Sequence, residues 1–196
     1  MPRTGLSPAE LKERAIDVAE ERLRRDGFDR IRLADIARDL SVTHVALYKH
    51  FPDKAALIDA VTTRWLHALH ETMEGVARGP EPVDERIRMW FLTYHRLKRE
   101  KVLRDPEPYR AFGSAFEEMK PSIVCHMGII HRQLEGMVRE AMEAGLLRQG
   151  EAMEITLLML ETTTGFHHPK VVAERLDEDR EPALKAALET TLKGLS

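Results

Sequence analysis

Apolar positions recur along this chain at the three- and four-residue spacing of amphipathic helices, and β-branched runs are scarce, which favours helix over strand. Leu11, Ala15, Val18, Ala19 and Leu23 form the first stripe. It opens at Ser7-Pro8-Ala9-Glu10, a capping box with proline at the first helical position, and closes at Asp26-Gly27. Phe28 and Ile31 then lead on as core anchors. Residues 55–76 form a long helix with Leu57, Ile58, Val61, Trp65 and Leu69 on one side. After a loop at 75–82, residues 82–104 form another, carrying Ile87, Trp90, Phe91, Tyr94 and Leu97. Asp105-Pro106-Glu107-Pro108 reads as a break, followed by a shorter helix over 109–119. A long helix starts at Lys120-Pro121-Ser122 and runs to Gly145. The next spans 150–165, is apolar all round at 155–160, and ends at His167-His168-Pro169. Residues 174–181 read as a solvated acidic linker, and 182–195 as a final helix with Leu184, Leu188, Leu192 and Leu195. The expected fold class is all-α.

Within that pattern Leu33–Lys54 stands apart, because it reads as two short helices joined by a tight turn. Ile36, Ala37 and Leu40 give the first an apolar face, with Ala37 small where two helices cross closely. Thr43 is a natural N-cap for the second, and Leu47 returns the apolar pattern. That is a helix-turn-helix, whose second helix enters the DNA major groove. His44, Ala46, Tyr48 and Lys49 point away from Leu47 and offer donors, an apolar contact for a thymine methyl, and a cation for phosphate. Pro52 stops the helix at Phe51, and Asp53 caps the next one, with Lys54 in its first turn.

The run V-x-x-x-x-L-Y-x-H-F-x-x-K-x-x-L, from Val42 to Leu57, resembles the signature of the TetR family of one-component bacterial transcriptional regulators. The likeness extends back through Leu33-Ala34-Asp35-Ile36-Ala37 and, more loosely, to Arg14-Ala15-Ile16 and Gly27-Phe28. It implies a DNA-binding domain of three helices, here residues 1–54, followed by a helical ligand-binding and dimerisation domain over 55–196. Carried over by position, Thr43, His44, Val45, Ala46, Tyr48, Lys49 and His50 lie at the DNA, with Lys54 on phosphate. Two positions depart from the family pattern. Ser41 stands where glycine is usual, so the turn must hold a side chain, and Val45 replaces a small residue or proline.

Composition adds limits. The chain has 196 residues, 43% hydrophobic and 32% charged, with a formal net charge of -3. Residues 1–54 hold 11 Lys and Arg against 10 Asp and Glu, so DNA binding has to rest on local placement of charge. One cysteine, Cys125, excludes an internal disulfide and fits a reducing compartment. No apolar run approaches the roughly 18 residues of a membrane helix, and no secretory signal opens the chain. The expectation is a soluble cytoplasmic protein without a membrane partner. The tail, residues 1–6 with Arg3, reads as disordered.

The resemblance also implies partners for the second half: an operator in double-stranded DNA, a second copy of the chain, and a small-molecule effector. Met153, Leu157, Leu160, Leu184, Leu188 and Leu192 are placed near the homodimer interface. Trp65, Leu69, Tyr94, Tyr109, Phe112, Phe116, His126, Phe166 and His167 are candidate lining for the effector pocket, which needs apolar walls and a few polar groups. His126 and His167 each lie about twenty residues from the Gly145–Gly150 turn, so antiparallel packing brings them level. With His168, and with His95 or His131 nearby, they define a candidate site for a divalent transition metal, although no cofactor is required. The second reading is therefore a helical metal-binding protein or sensor. An enzyme is not expected: no E-x-x-H pair, activated nucleophile or glycine-rich phosphate loop is present. The leading reading is a ligand-responsive repressor released from DNA by a small molecule.

Overall fold

The capping box forms as the spacing predicts. Glu10 N–H donates to Ser7 Oγ at 3.2 Å and Ser7 N–H to Glu10 Oε2 at 2.7 Å, which starts α1 (Pro8–Asp26). The structure, a computed structural model, describes residues 6–196; residues 1–5, Arg3 among them, lie outside the described residues. Helices and their connections account for the described chain, with no strand among the described residues. After a single 3-10 turn at Phe28–Arg30 come α2 (Leu33–Asp39), α3 (His44–Tyr48), α4 (Lys54–Ala77) and α5 (Val83–Arg104). Then follow α6 (Pro106–Glu117), α7 (Pro121–Glu143), α8 (Ala152–Thr162), α9 (Thr164–His167), α10 (Pro169–Glu174) and α11 (Glu181–Leu195).

The helices gather into two compact units, and neither ends at residue 54. The first takes the chain up to Trp65 together with Asp105–Ile123, and so includes the start of α4 and all of α6. Its core joins Ala15, Leu23, Ile36, Leu47, Phe51 and Leu57 to Ala111 of α6. Polar contacts fix α6 to the end of α1. Arg24 Nε donates to Asp105 Oδ1 at 2.7 Å, the Phe28 N–H to Glu107 Oε2 at 2.6 Å, and Arg110 pairs with Asp29 at 2.9 Å. Gly27 permits the approach: its φ is 85°, and a Cβ there would stand 3.4 Å from the Glu107 carboxylate. The proline run at 105–108 ends α5 at Arg104 as expected and also opens α6, three residues earlier than expected, since prolines fit a first helical turn, where backbone N–H groups have no intrahelical acceptor.

The second unit comprises Leu66–Arg104 and Val124–Ser196. Leu66, Met73, Ile87, Trp90, Phe91, Leu134, Val138, Ile155 and Met159 are buried in it. The helix expected over 150–165 is interrupted at Thr163 and resumes as α9, which closes at His167 as expected. Thr163 Oγ1 donates to Met159 O at 2.7 Å and Thr164 Oγ1 to Leu160 O at 2.9 Å, side-chain bonds that compete with the helical ladder and bend it. A short helix, α10, follows Pro169, and the irregular linker lies between it and α11 at residues 175–180, close to the 174–181 expected. α11 packs on α5 and α8, and its Leu184, Leu188 and Leu192 are buried within this unit. Those leucines are core residues of the unit, not the surface offered to a second copy that the resemblance implied. The apolar side chains that α8 leaves exposed are Leu157 and Leu158, at 40% and 42%.

Candidate DNA interface and buried polar cluster

In the first unit, the local sequence explains why α3 stands where it does. Val42 N–H reaches back to Ala37 O at 3.0 Å, and Ser41 adopts φ 54°, the left-handed conformation for which glycine is favoured. Thr43 Oγ1 accepts from Ala46 N–H at 3.2 Å and caps α3. Leu47 is wholly buried and pins the helix to the core. The opposite face is open: Val45 is 69% exposed and Tyr48 41%, with Thr43, His44 and Lys49 exposed beside them and Ala46 and His50 half-buried. His44 and Tyr48, one turn apart, hold their rings 4.4 Å apart at a 40° tilt. Asp53 Oδ1 accepts from Ala56 N–H at 2.7 Å, capping α4 as its position predicts. Lys54 is half-buried; its Nζ donates to Phe28 O at 2.7 Å and lies 4.5 Å from the Phe28 ring centroid, so it ties α4 to the turn after α1.

The nine residues selected as pocket lining fall into two groups, one in each unit. In the first unit Trp65 meets Phe112 and Tyr109 edge-on, at 4.8 and 6.0 Å, and Phe112 lies 6.3 Å from Phe116. The Tyr109 hydroxyl is buried with no hydrogen-bond partner, and burial raises its pKa. In the second unit lie Leu69, Tyr94, His126, Phe166 and His167, all buried.

Tyr94 is the hub of this second group. Its hydroxyl is 2.9 Å from His126 Nε2, and its ring is 4.9 Å from that of His167. His126 and His167 are therefore brought level, as the helix geometry predicts. His126 Nδ1 lies 2.7 Å from His70 Nε2, so both its ring nitrogens are engaged by protein groups. Neither is left for a metal, and no group of three or more His, Cys, Asp or Glu among the described residues is placed to hold one. For the metal set His126, His167 and His168, the side chains thus give no support. His131 is half-buried on α7, and burial lowers its pKa.

Two members of the cluster escaped the sequence reading. His70 is the half-buried partner of His126. Lys98 continues the apolar stripe of α5, and that was the available signal: a lysine four residues after Tyr94 on a buried face. Its Nζ donates to His167 O at 2.7 Å and stands 4.2 Å from the Tyr94 ring centroid. Burial pushes its pKa down to about 7. Burial also keeps His126 and His167 well below the ordinary histidine range, with the Lys98 charge as a further cause, and it lowers His70 and His95. Beyond Trp90, whose Nε1 donates to Gln133 at 3.3 Å, a cleft of about 430 Å³ is lined by Gln133, Arg78, Arg86, Arg132, Met137 and Glu140.

A capped, solvent-facing helix on a small helical core, followed by a larger helical unit with a buried polar centre, defines a helix-turn-helix regulator fold. The chain belongs to the TetR family of bacterial transcriptional regulators: residues 15–61 match the bacterial regulatory proteins of the tetR family, and residues 83–187 match the tetracyclin repressor-like C-terminal domain. Over 83 residues it is 40% identical to the HTH-type transcriptional regulator TtgR of Pseudomonas putida. That likeness spans 42% of this chain and only 38% of the relative's length. Among solved structures it resembles a protein of unknown function from a Rhodococcus species, with a TM-score of 0.72, 24% identity, and 94% and 95% of the two chains covered. It also resembles RolR in complex with resorcinol, with a TM-score of 0.66, 16% identity, and 96% and 89% covered. At those identities the likeness shows the fold. No helix among the described residues is long and apolar enough to cross a membrane.

Proposed function

We propose that this protein is a homodimeric repressor that binds an operator through α3 and is released by a small molecule held in its second unit. The observation that carries the reading is the presentation of α3: Leu47 is wholly buried while Val45, Tyr48, His44 and Lys49 face solvent on a capped helix. A helix held in this way offers its side chains to base edges and phosphates. Residues 15–61, which contain α3, match the bacterial regulatory proteins of the tetR family, and this supports the same role here. Lys54, engaged with Phe28, acts on DNA chiefly by fixing the turn after α1. Leu157 and Leu158 of α8 are the apolar side chains that a second copy would cover, giving a two-fold assembly whose recognition helices are spaced for half-sites about 34–36 Å or a multiple apart.

The test is selection of binding sites from random duplex DNA, followed by titration of the selected site at several salt concentrations. The reading expects a two-fold symmetric site, affinity falling linearly with salt on logarithmic axes, and release by at least one member of a small-molecule library. A selection that returns no enriched sequence would overturn it.

A further inference from the structure

His95 and His167 carry buried ring nitrogens with no partner in the protein: Nε2 of His95, and both Nδ1 and Nε2 of His167. A buried polar atom left unpaired destabilises the fold, because it has given up its water partners for nothing. Three such atoms, on two rings whose centroids are 6.4 Å apart, mark a place where hydrogen bonding is completed by something outside the chain.

The protonation pattern says what that something must supply. His95 Nδ1 lies 2.7 Å from Phe166 O, and a carbonyl only accepts, so Nδ1 carries the hydrogen. Burial keeps the ring neutral, which leaves Nε2 as a bare acceptor. His167, also neutral, has one donor and one acceptor nitrogen. The pair therefore asks for a group that both donates and accepts. A carboxylate only accepts and an ammonium only donates, whereas a hydroxyl does both. The surroundings narrow the class further. Phe91 and Tyr94 stand 5.6 and 4.9 Å from the His167 ring, walls that favour an aromatic body. The Lys98 ammonium, over the Tyr94 ring and on the main chain of His167, disfavours a cationic body and suits the oxygen of a neutral hydroxyl. We propose that Tyr94, His95, Lys98 and His167 recognise a phenolic hydroxyl, so that the effector is a small hydroxylated aromatic molecule. This rests on reading the protein as an effector-responsive regulator and goes beyond it in naming the chemistry of the effector. The cleft beside Gln133 lies one side chain away, since Trp90 bonds to Gln133 and its ring is 5.4 Å from that of Tyr94.

The experiment is calorimetric titration of the whole protein with three probes of one size: phenol, its methyl ether anisole, and benzoate. Phenol should give saturable binding, with anisole and benzoate at least about tenfold weaker, equivalent to 1.4 kcal/mol or more. His167→Phe should weaken phenol by a similar factor while its thermal midpoint holds or rises, because phenylalanine has no nitrogen to leave unpaired. Lys98→Met should weaken phenol as well, and provides a second variant if the first folds poorly. Equal binding of anisole or benzoate, unchanged phenol affinity in both variants, or no saturable phenol binding overturns the proposal. The regulator reading fails separately: wild type that selects no DNA sequence defeats it, whereas wild type that binds DNA yet takes up no phenol defeats only this inference.

Discussion

Tyr94 Oη and His126 Nε2 lie 2.9 Å apart, and the far nitrogen of His126 meets half-buried His70, so a short hydrogen-bonded chain runs from the edge of the second unit to its buried centre. Each link needs a neutral imidazole that donates on one side and accepts on the other. Burial lowers the pKa of His70, His95, His126 and His167 below the ordinary 6.5. As pH falls through 6.5 the unfolded chain takes up protons before the folded one does, so this contribution is complete above that value and is lost below it. Thermal melts should show a midpoint nearly flat between about pH 7 and 8 from these groups and falling steeply by about pH 5. A midpoint that holds down to pH 5 would mean that the histidines are not buried neutral.

Lys98 should act in a different window. Its folded pKa is about 7 against an ordinary 10.5, so between those values the unfolded chain holds a proton that the native state lacks, and stability rises with pH. Below pH 7 the penalty is complete. Lys98→Met should therefore stabilise the protein by a few kcal/mol at neutral pH, with the gain shrinking toward about pH 10. Denaturant melts of both proteins at about pH 7 and 9.5 provide the measurement. A less stable variant at neutral pH would show that the ammonium is well compensated where it lies.

On DNA, His44→Ala should change the ranking of operators by roughly 1–3 kcal/mol at the affected base pair. Lys49→Ala should instead weaken every sequence and reduce the salt slope by about one. Filter binding across a panel of operator variants separates the two effects. Uniform weakening by both substitutions would place α3 outside the groove.

For assembly, two leucines give opposite expectations. Leu158→Glu, at an exposed position of α8, should yield a folded monomer with poor operator affinity. Leu188→Glu, at a position 1% exposed within the unit, should cost roughly 3–5 kcal/mol and unfold the protein instead. Sedimentation combined with circular dichroism distinguishes these results. A dimeric Leu158→Glu protein would direct attention away from α8.

Features fixed by short-range chemistry were legible in the sequence. The Ser7–Glu10 box, the Thr43 and Asp53 caps and the buried Leu47 each depend on neighbours within one or two turns. Ser41 stands where the family pattern has glycine, and its φ of 54° is the conformation that glycine favours. Long-range choices were less accessible. Proline at 106 and 108 marks the end of α5 and the first turn of α6 together, but nothing local in it says that α6 packs on the end of α1. The leucines of α11 announced burial but not what buries them. His126 and His167 could be levelled by counting residues from the turn, whereas His70 and Lys98 entered the cluster only through the packing of α4 and α5.

The attachment of α6 to the end of α1 bears on how this protein could be recombined with its relatives. Ala111, Glu107 and Asp105 complete a core and a polar seam begun by residues before 60, so the DNA-reading module is discontinuous in the chain. A hybrid that borrows residues 1–61 alone would inherit a donor at Phe28 without its acceptor, and a guanidinium at Arg24 with Glu20 but without the Asp105 carboxylate. Transplanting specificity therefore calls for two cassettes moved together, the second covering Asp105 to Glu117.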